Sequence, residues 1–255
     1  MEVTILGSGT ATPRLDRNSS GLAVRTDEAL VLVDIGAGTI RRLCEAGVDL
    51  RLVDAILITH FHPDHVSDLV PFLFASNYAF GPVRKESFHV VGPDGLEQFY
   101  SGLVRVYQDW IVPKGDRLRL KQMSVKDTDR FHVKDLAILS TPSVHGPQSL
   151  SYRLEAAGVS VTVSGDTDFS ERLIELARGA DLLISECSLP DALKIPGHLV
   201  PSEAGRIAAE AGVRKLVLTH MYPPCDEEGV DVVAQAAGSF SGTIVKAEDH
   251  MTLRV

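Results

Sequence analysis

Three histidines and an aspartate crowd into six positions, His60, His62, Asp64 and His65, directly behind the apolar run Ala55-Ile56-Leu57-Ile58. A chain that leaves a buried strand and turns through so many imidazoles cannot satisfy them all with core hydrogen bonds, and it cannot hide them unpaired. They can instead converge on cations, which accept imidazole nitrogen and carboxylate oxygen at about 2.0–2.2 Å. One ion would be crowded by four ligands from a single loop plus any others. The segment therefore reads as serving two neighbouring metals, His60 and His62 facing one, Asp64 and His65 the other. A pair of metals implies hydrolytic chemistry.

The rest of the chain supplies a framework for such a site. Apolar runs bounded by Gly, Pro, Asp or Asn predict strands at 2–6, 21–25, 30–34, 53–58, 88–91, 136–140, 149–154, 159–163, 181–185, 215–219, 243–246 and 250–254. Helical patterns fall at 38–46, 65–75, 93–107, 170–178, 201–211 and 229–237, the fifth opening on Pro201-Ser202-Glu203 and stopping before Gly212. Each half runs through several strands and then alternates helix with strand. This suits a four-layer αββα sandwich, although the pattern taken alone leaves an α/β barrel open. With 44% hydrophobic and 23% charged residues and no linker, the 255 residues read as one domain, 1–255, with a substantial core.

A net charge of −9 argues against a broad nucleic-acid surface, which needs clustered cations. The basic pairs Arg14/Arg17, Arg41-Arg42 and Arg84-Lys85 are scattered and read as solvated surface. Cys44, Cys187 and Cys225 form no C-x-x-C pair and suggest neither a disulfide framework nor a thiolate zinc site. The first residues read as a strand with no basic leader, and no apolar stretch reaches membrane length, so the expected location is the cytoplasm. Gly7-Ser8-Gly9-Thr10 lacks the spacing of either nucleotide-binding glycine motif and reads as a tight turn.

The His60–His65 cluster resembles the H-x-H-x-D-H motif of the metallo-β-lactamase superfamily. The resemblance implies an αββα fold and further ligands, and the chain has candidates for each. His145, Asp166 and His220 follow the apolar stretches 136–139, 159–163 and 217–218. By the family pattern His60, His62, His145 and Asp166 hold one metal, and Asp64, His65, Asp166 and His220 hold the second, with Asp166 bridging. Two divalent ions are implied, Zn²⁺ first for this donor set, with Mn²⁺ and Fe²⁺ also compatible. Asp34, ending the run Val31-Leu32-Val33, is similar to the family's first-motif aspartate, expected to orient the ligand loop. A lone histidine after a strand is ordinarily structural, but five of the chain's nine stand at ligand positions in the family's order. His89, His132 and His250 match no motif and receive no role.

Within the superfamily, three passages resemble ribonuclease Z and its phosphodiesterase relatives: Leu6-Gly7-Ser8-Gly9-Thr10 running to Asn18-Ser19-Ser20, Val91 to Leu96, and Gly197-His198-Leu199-Val200-Pro201-Ser202-Glu203-Ala204-Gly205. The resemblance gives His198 the task of assisting the departing alkoxide and Asp64 that of accepting a proton from the water. The nucleophile would be a metal-bridging hydroxide. One departure matters: only twenty residues separate His145 from Asp166, room for a hairpin but not for the arm with which ribonuclease Z grips tRNA. The expected substrate is therefore a small phosphodiester, a cyclic nucleotide, a cyclic phosphate or a short oligonucleotide. A tRNA 3′ endonuclease and a thioester or lactone hydrolase of the same fold are the alternatives. A di-iron redox enzyme would carry glutamate where His62 stands, and a non-catalytic RNA-binding role would not require the ligand set. Relatives are often dimers, so the resemblance allows a homodimer.

Overall fold

Both faces of the central strands are apolar because both are covered. In Leu30–Val33, Val31 and Val33 point into the layer between two sheets while Leu30 and Leu32 point outward beneath helices, and all four are buried. Strands packed on two faces read as continuous apolar runs rather than alternating ones. That is the form of most of the stretches predicted as strands.

The computed structural model describes residues 1–78 and 84–255. The N-terminal half builds one sheet from β1 (Glu2–Gly7), β2 (Gly21–Arg25), β3 (Leu30–Val33), β4 (Ala55–Leu57), β5 (Phe88–Pro93) and β6 (Leu118–Met123). The second sheet takes β7 (Asp129–Val133), β8 (Leu136–Pro142), β9 (Leu150–Ala156), β10 (Val159–Val163), β11 (Leu182–Glu186), β12 (Lys215–Thr219) and β13 (Thr243–Lys246). β14 (Thr252–Arg254) returns to the first sheet, antiparallel to β1. The spatial orders are β14-β1-β2-β3-β4-β5-β6 and β13-β12-β11-β10-β9-β8-β7. Each sheet is antiparallel at its beginning and parallel afterwards, β3 through β6 in one and β10 through β13 in the other.

Helices α1 (Thr39–Glu45), α3 (Leu69–Tyr78) and α4 (Leu96–Tyr107) cover the first sheet, where Leu43, Phe72 and Leu96 pack on Leu32, Ile56 and Val90. Helices α5 (Glu171–Ala177), α6 (Pro201–Ala211) and α7 (Val232–Ala237) cover the second, with Leu173, Ile207 and Ala236 among residues packed with Leu183 and Leu216. The expected αββα sandwich is thus the observed architecture. A third apolar layer fills the space between the sheets, Val31, Val33 and Leu57 meeting Ile138, Tyr152 and Ile184. Tyr152, wholly buried there, donates its hydroxyl to the Ile58 carbonyl at 2.8 Å, and Leu150 N donates to Thr59 O at 2.9 Å. These two bonds stitch the second sheet to the segment that opens the histidine cluster.

Arg17 and Arg84, expected as solvated surface, are buried, and the secondary structure departs from the sequence expectations at three places. β6 and β7 were not anticipated, since Leu118-Arg-Leu-Lys-Gln-Met and Asp129-Arg-Phe-His-Val carry charged side chains along partly exposed edge strands. The helix predicted at 65–75 divides into α2 (Pro63–Val66) and α3. Asp68, between them, donates its N–H to Ile35 O at 3.0 Å and accepts from Ile40 N at 2.9 Å, so tertiary bonds interrupt the helical ladder.

Candidate metal centre

The parallel strands carry their C-terminal ends to the same side of each sheet, and the polar candidates stand just beyond those ends. Asp34 follows β3, His60 to His65 follow β4, Asp166 follows β10, Glu186 closes β11 and His220 follows β12. His145 lies in the loop after β8. Asp34 and His220 adopt positive φ, 59° and 58°, which bends the chain sharply away from the sheet. Asp64 and His65 enter on α2, whose first residue, Pro63, lacks the N–H that a helix start would leave unpaired.

All seven predicted ligands converge. Asp166 sits in the middle: its Oδ2 lies 3.7 Å from His60 Nε2 and 3.9 Å from His145 Nε2, while its Oδ1 lies 3.4 Å from both His65 Nε2 and His220 Nε2. His62 Nδ1 approaches His145 Nε2 at 3.2 Å, completing the group His60, His62, His145 and Asp166. Asp64 Oδ2 is 3.5 Å from His220 Nε2 and 3.7 Å from His65 Nε2, forming the second group.

The donor set fits cations on three observations. His60 Nε2 and Asp166 Oδ1 are buried without a hydrogen-bond partner, an arrangement that costs about 1–3 kcal/mol per group unless something binds them. Burial, with the charge of His65, pushes His60 down to about 2, and burial with His145 lowers His62, so both imidazoles are held neutral as metal ligands must be. For Asp64, burial is outweighed by the His220 hydrogen bond and the charges of His65 and His220, which draw it down to about 2 and keep it a carboxylate. His65 goes the other way. Burial would lower it, but the carboxylates of Asp166 and Asp34 raise it well above the ordinary value, the mark of an electronegative pocket that a cation would neutralise.

Four of the candidate ligand histidines have the nitrogen facing away from the cluster fixed by the surrounding protein. His65 Nδ1 meets Asp34 Oδ2 at 2.7 Å, and Asp34 also accepts from Thr59 N at 2.8 Å and Thr59 Oγ1 at 3.0 Å. His60 Nδ1 contacts Thr59 Oγ1 at 3.0 Å, His145 Nδ1 the Gly197 carbonyl at 2.9 Å, and His220 Nδ1 Ser188 Oγ at 3.1 Å. Such partners fix ring orientation and tautomer.

His198 is beside the cluster, in the loop before α6, its ring stacked on His220 at 5.9 Å between centroids. Its Nδ1 reaches Glu186 Oε1 and Ser188 Oγ, both at 3.1 Å, and lies 3.9 Å from Asp166 Oδ2. Burial pulls its pKa down, yet the Glu186 hydrogen bond and charge outweigh burial and raise it. Glu186 escaped the sequence reading although it is almost wholly buried and also accepts from Thr167 N at 2.7 Å and Ser188 Oγ at 2.6 Å. The signal was present, because a carboxylate closing the apolar run Leu182-Leu183-Ile184 repeats the pattern of Asp34 and Asp166.

A model of the beta-lactamase superfamily domain matches residues 31–221, which include every ligand candidate. The chain belongs to the metallo-β-lactamase superfamily. It is a metal-dependent hydrolase of that fold, and its relatives include ribonuclease Z of Mycobacterium bovis (strain BCG / Pasteur 1173P2), 30% identical with 98% of this chain and 96% of that enzyme covered. Ribonuclease Z of Methanothermobacter thermautotrophicus is 27% identical, with 100% and 97% covered. That alignment runs over 307 positions, so at least 52, the difference from 255, have no counterpart here. The metallo-β-lactamase fold protein YhfI from Bacillus subtilis superposes with a TM-score of 0.83 at 24% identity, 99% of each chain covered, a likeness of fold.

Between His145 and Asp166 the chain makes a tight hairpin. β9 and β10 pair antiparallel up to Ala156 and Val159, joined by Ala157 and Gly158 alone. Both turn residues have positive φ, 51° and 78°, the conformation that two-residue hairpins require.

Proposed function

We propose that this protein is a dinuclear metal-dependent phosphodiesterase acting on a small phosphodiester, a cyclic nucleotide, a cyclic phosphate or a short oligonucleotide. The observation that carries the chemistry is His198, held by Glu186 and Ser188 within 3.9 Å of the carboxylate around which both ligand groups assemble. An imidazole whose proton is supported by a buried carboxylate can donate to an oxygen that leaves with its electron pair, which is what breaking a P–O bond to an alkoxide demands.

His60, His62, His145 and Asp166 would hold one cation, and Asp64, His65, Asp166 and His220 the other. Two such ions supply Lewis-acid polarisation of a phosphoryl oxygen and bring the pKa of water from about 15.7 to about 7. Asp64, held ionised, is placed to take up a proton. Asp34, Thr59, Ser188 and the Gly197 carbonyl keep the ligand rings turned inward. His198 stands on the side where the leaving group departs. Zn²⁺ is the first choice for this donor set.

The two-residue β9–β10 turn supports a small substrate, because it leaves no arm to grip the body of a tRNA. A second reading, a tRNA 3′ endonuclease, is favoured by curated relatives named ribonuclease Z that align over nearly the whole chain. The deciding experiment reconstitutes the protein with Zn²⁺ or Mn²⁺ and measures turnover of cyclic nucleotides, cyclic sugar phosphates, short RNA, precursor tRNA, a thioester and a lactone. Turnover of small diesters is expected. Cleavage of precursor tRNA alone would overturn the substrate size, and turnover confined to the thioester or lactone would overturn the chemistry.

A further inference from the structure

Asp168, two residues beyond Asp166, ties together three loops of the site. Its backbone N–H donates to Val144 O at 2.7 Å, beside His145. Its carboxylate reaches the His198 loop twice: Oδ2 accepts from Gly197 N at 2.9 Å, and Oδ1 accepts from Lys194 Nζ at 2.7 Å. The same ammonium donates to the His198 carbonyl at 2.5 Å and to Glu203 Oε2 at 2.5 Å on the first turn of α6. All three donors of Lys194 are therefore spent, and none points toward the metal ligands. The backbone on both sides of His198 is gripped through one carboxylate, directly at Gly197 N and by way of Lys194 at His198 O. His145 Nδ1 closes the ring on the Gly197 carbonyl.

This arrangement has more geometry than a surface ion pair needs. The three side chains are each roughly a quarter to a third exposed, so their pairing by itself contributes at most about 1 kcal/mol to stability. Its value lies in placement. Gly197 has φ of 84° and its neighbours Ile195 and Pro196 are not in regular structure, so on the side before His198 these bonds fix the backbone, while on the other side Leu199 is anchored in the core and accepts from Ser188 N at 3.1 Å.

Resting on the phosphodiesterase reading, we propose that Lys194 is a positioning residue that, through Asp168 and Glu203, sets the His198 imidazole against the leaving-group oxygen. Losing the ammonium leaves two carboxylates facing each other and frees the His198 carbonyl. Displacing a catalytic group by 1 Å can cost about 10²-fold, and that cost should scale with how much the leaving group needs a proton.

The test compares the metal-loaded wild type with Lys194→Met and with Lys194→Gln, whose shorter amide cannot bridge the three acceptors. Two substrates are used: a dinucleoside monophosphate, which expels a strongly basic sugar alkoxide, and the p-nitrophenyl ester of thymidine 5′-phosphate, which expels a weakly basic phenolate. The expected result is a kcat loss of about 10–100-fold on the dinucleotide and a much smaller one on the ester, with KM, metal content and Tm near wild type. Equal losses on both substrates, or no loss on either, in the variants that retain metal and Tm would overturn the inference. His198→Ala runs alongside. If it shows the leaving-group-selective loss and the Lys194 variants do not, the positioning role fails while the phosphodiesterase reading stands. If His198→Ala turns over the dinucleotide like wild type, the reading fails and the inference with it.

Discussion

The two halves of the molecule contribute to the site in opposite ways. The N-terminal sheet delivers His60, His62, Asp64 and His65 on one continuous segment, so four candidate ligands share the β4–α2 connection and the helix it enters. The C-terminal sheet delivers His145, Asp166, His198 and His220 from four separate loops, stitched together by Glu186, Ser188 and Asp168. A contiguous set is held by local geometry. A dispersed set needs a network of buried hydrogen bonds, and the C-terminal half has one. This difference predicts that metal retention depends on both halves, whereas turnover is controlled mainly from the C-terminal one.

The largest effect is expected at Asp166, whose two oxygens face different ligand groups. Asp166→Ala should remove activity by more than the roughly 10²–10³-fold that one electrostatic donor supplies and should lower the metal measured by mass spectrometry at both positions. A variant with two ions still bound would show that each ligand group can hold its metal without the shared carboxylate. Next comes His198→Ala, expected to reduce kcat on an alkoxide-expelling diester by about 10²–10³-fold with metal content unchanged. Loss of metal in that variant would make His198 a ligand rather than an acid.

Supporting residues should separate the halves more finely. Asp34→Asn weakens the hold on His65 and, through Thr59, on His60, both on the N-terminal side, so a metal-affinity loss of about 10–100-fold is expected, with kcat largely restored at saturating metal. Ser188→Ala touches His220, His198 and Glu186 together. A comparable affinity loss is expected, but kcat should stay depressed however much metal is added. If both variants recover equally in a metal titration, the proposed division between the halves is wrong.

The smallest effect concerns the place where the halves are clamped. Arg17, from the N-terminal loop, holds Asp226 at 2.7 Å, and Lys246 holds the other oxygen at 2.7 Å. Burial pushes Asp226 up, but the Arg17 and Lys246 hydrogen bonds outweigh it and lower its pKa. A depressed folded-state value means stability that is present above the unfolded value, about 3.9, and is lost as pH falls through the folded one. Asp226→Asn should therefore lower Tm at pH 7, by a free energy on the order of 1 kcal/mol, and the difference from wild type should shrink as the buffer is taken below pH 4. A Tm difference constant across that range would assign the effect to packing.

Most of the fold was legible because strands buried on both faces declare themselves as unbroken apolar runs. Edge strands do not, and β6 and β7 were missed for that reason. Among site residues, the His60–His65 loop was visible by crowding alone. His145, Asp166 and His220 needed a family pattern, since each is one polar residue after one strand. Glu186 repeats the strand-end carboxylate pattern of Asp34 and Asp166 but matches no motif, and Ser188 was silent, since a serine after a strand is ordinary until its neighbours in space are known.

By itself the sequence determined that a buried strand must end in a cluster of imidazoles able to hold cations, and that the stretch from His145 to Asp166 is too short for an arm. Both are local properties, set by residue type and by chain length. Only the tertiary structure decided that Asp166 turns one oxygen to each ligand group and that a buried carboxylate at Glu186 stands behind His198. Those contacts join residues from separate strands, brought together by the burial of three apolar layers that contain none of the catalytic chemistry.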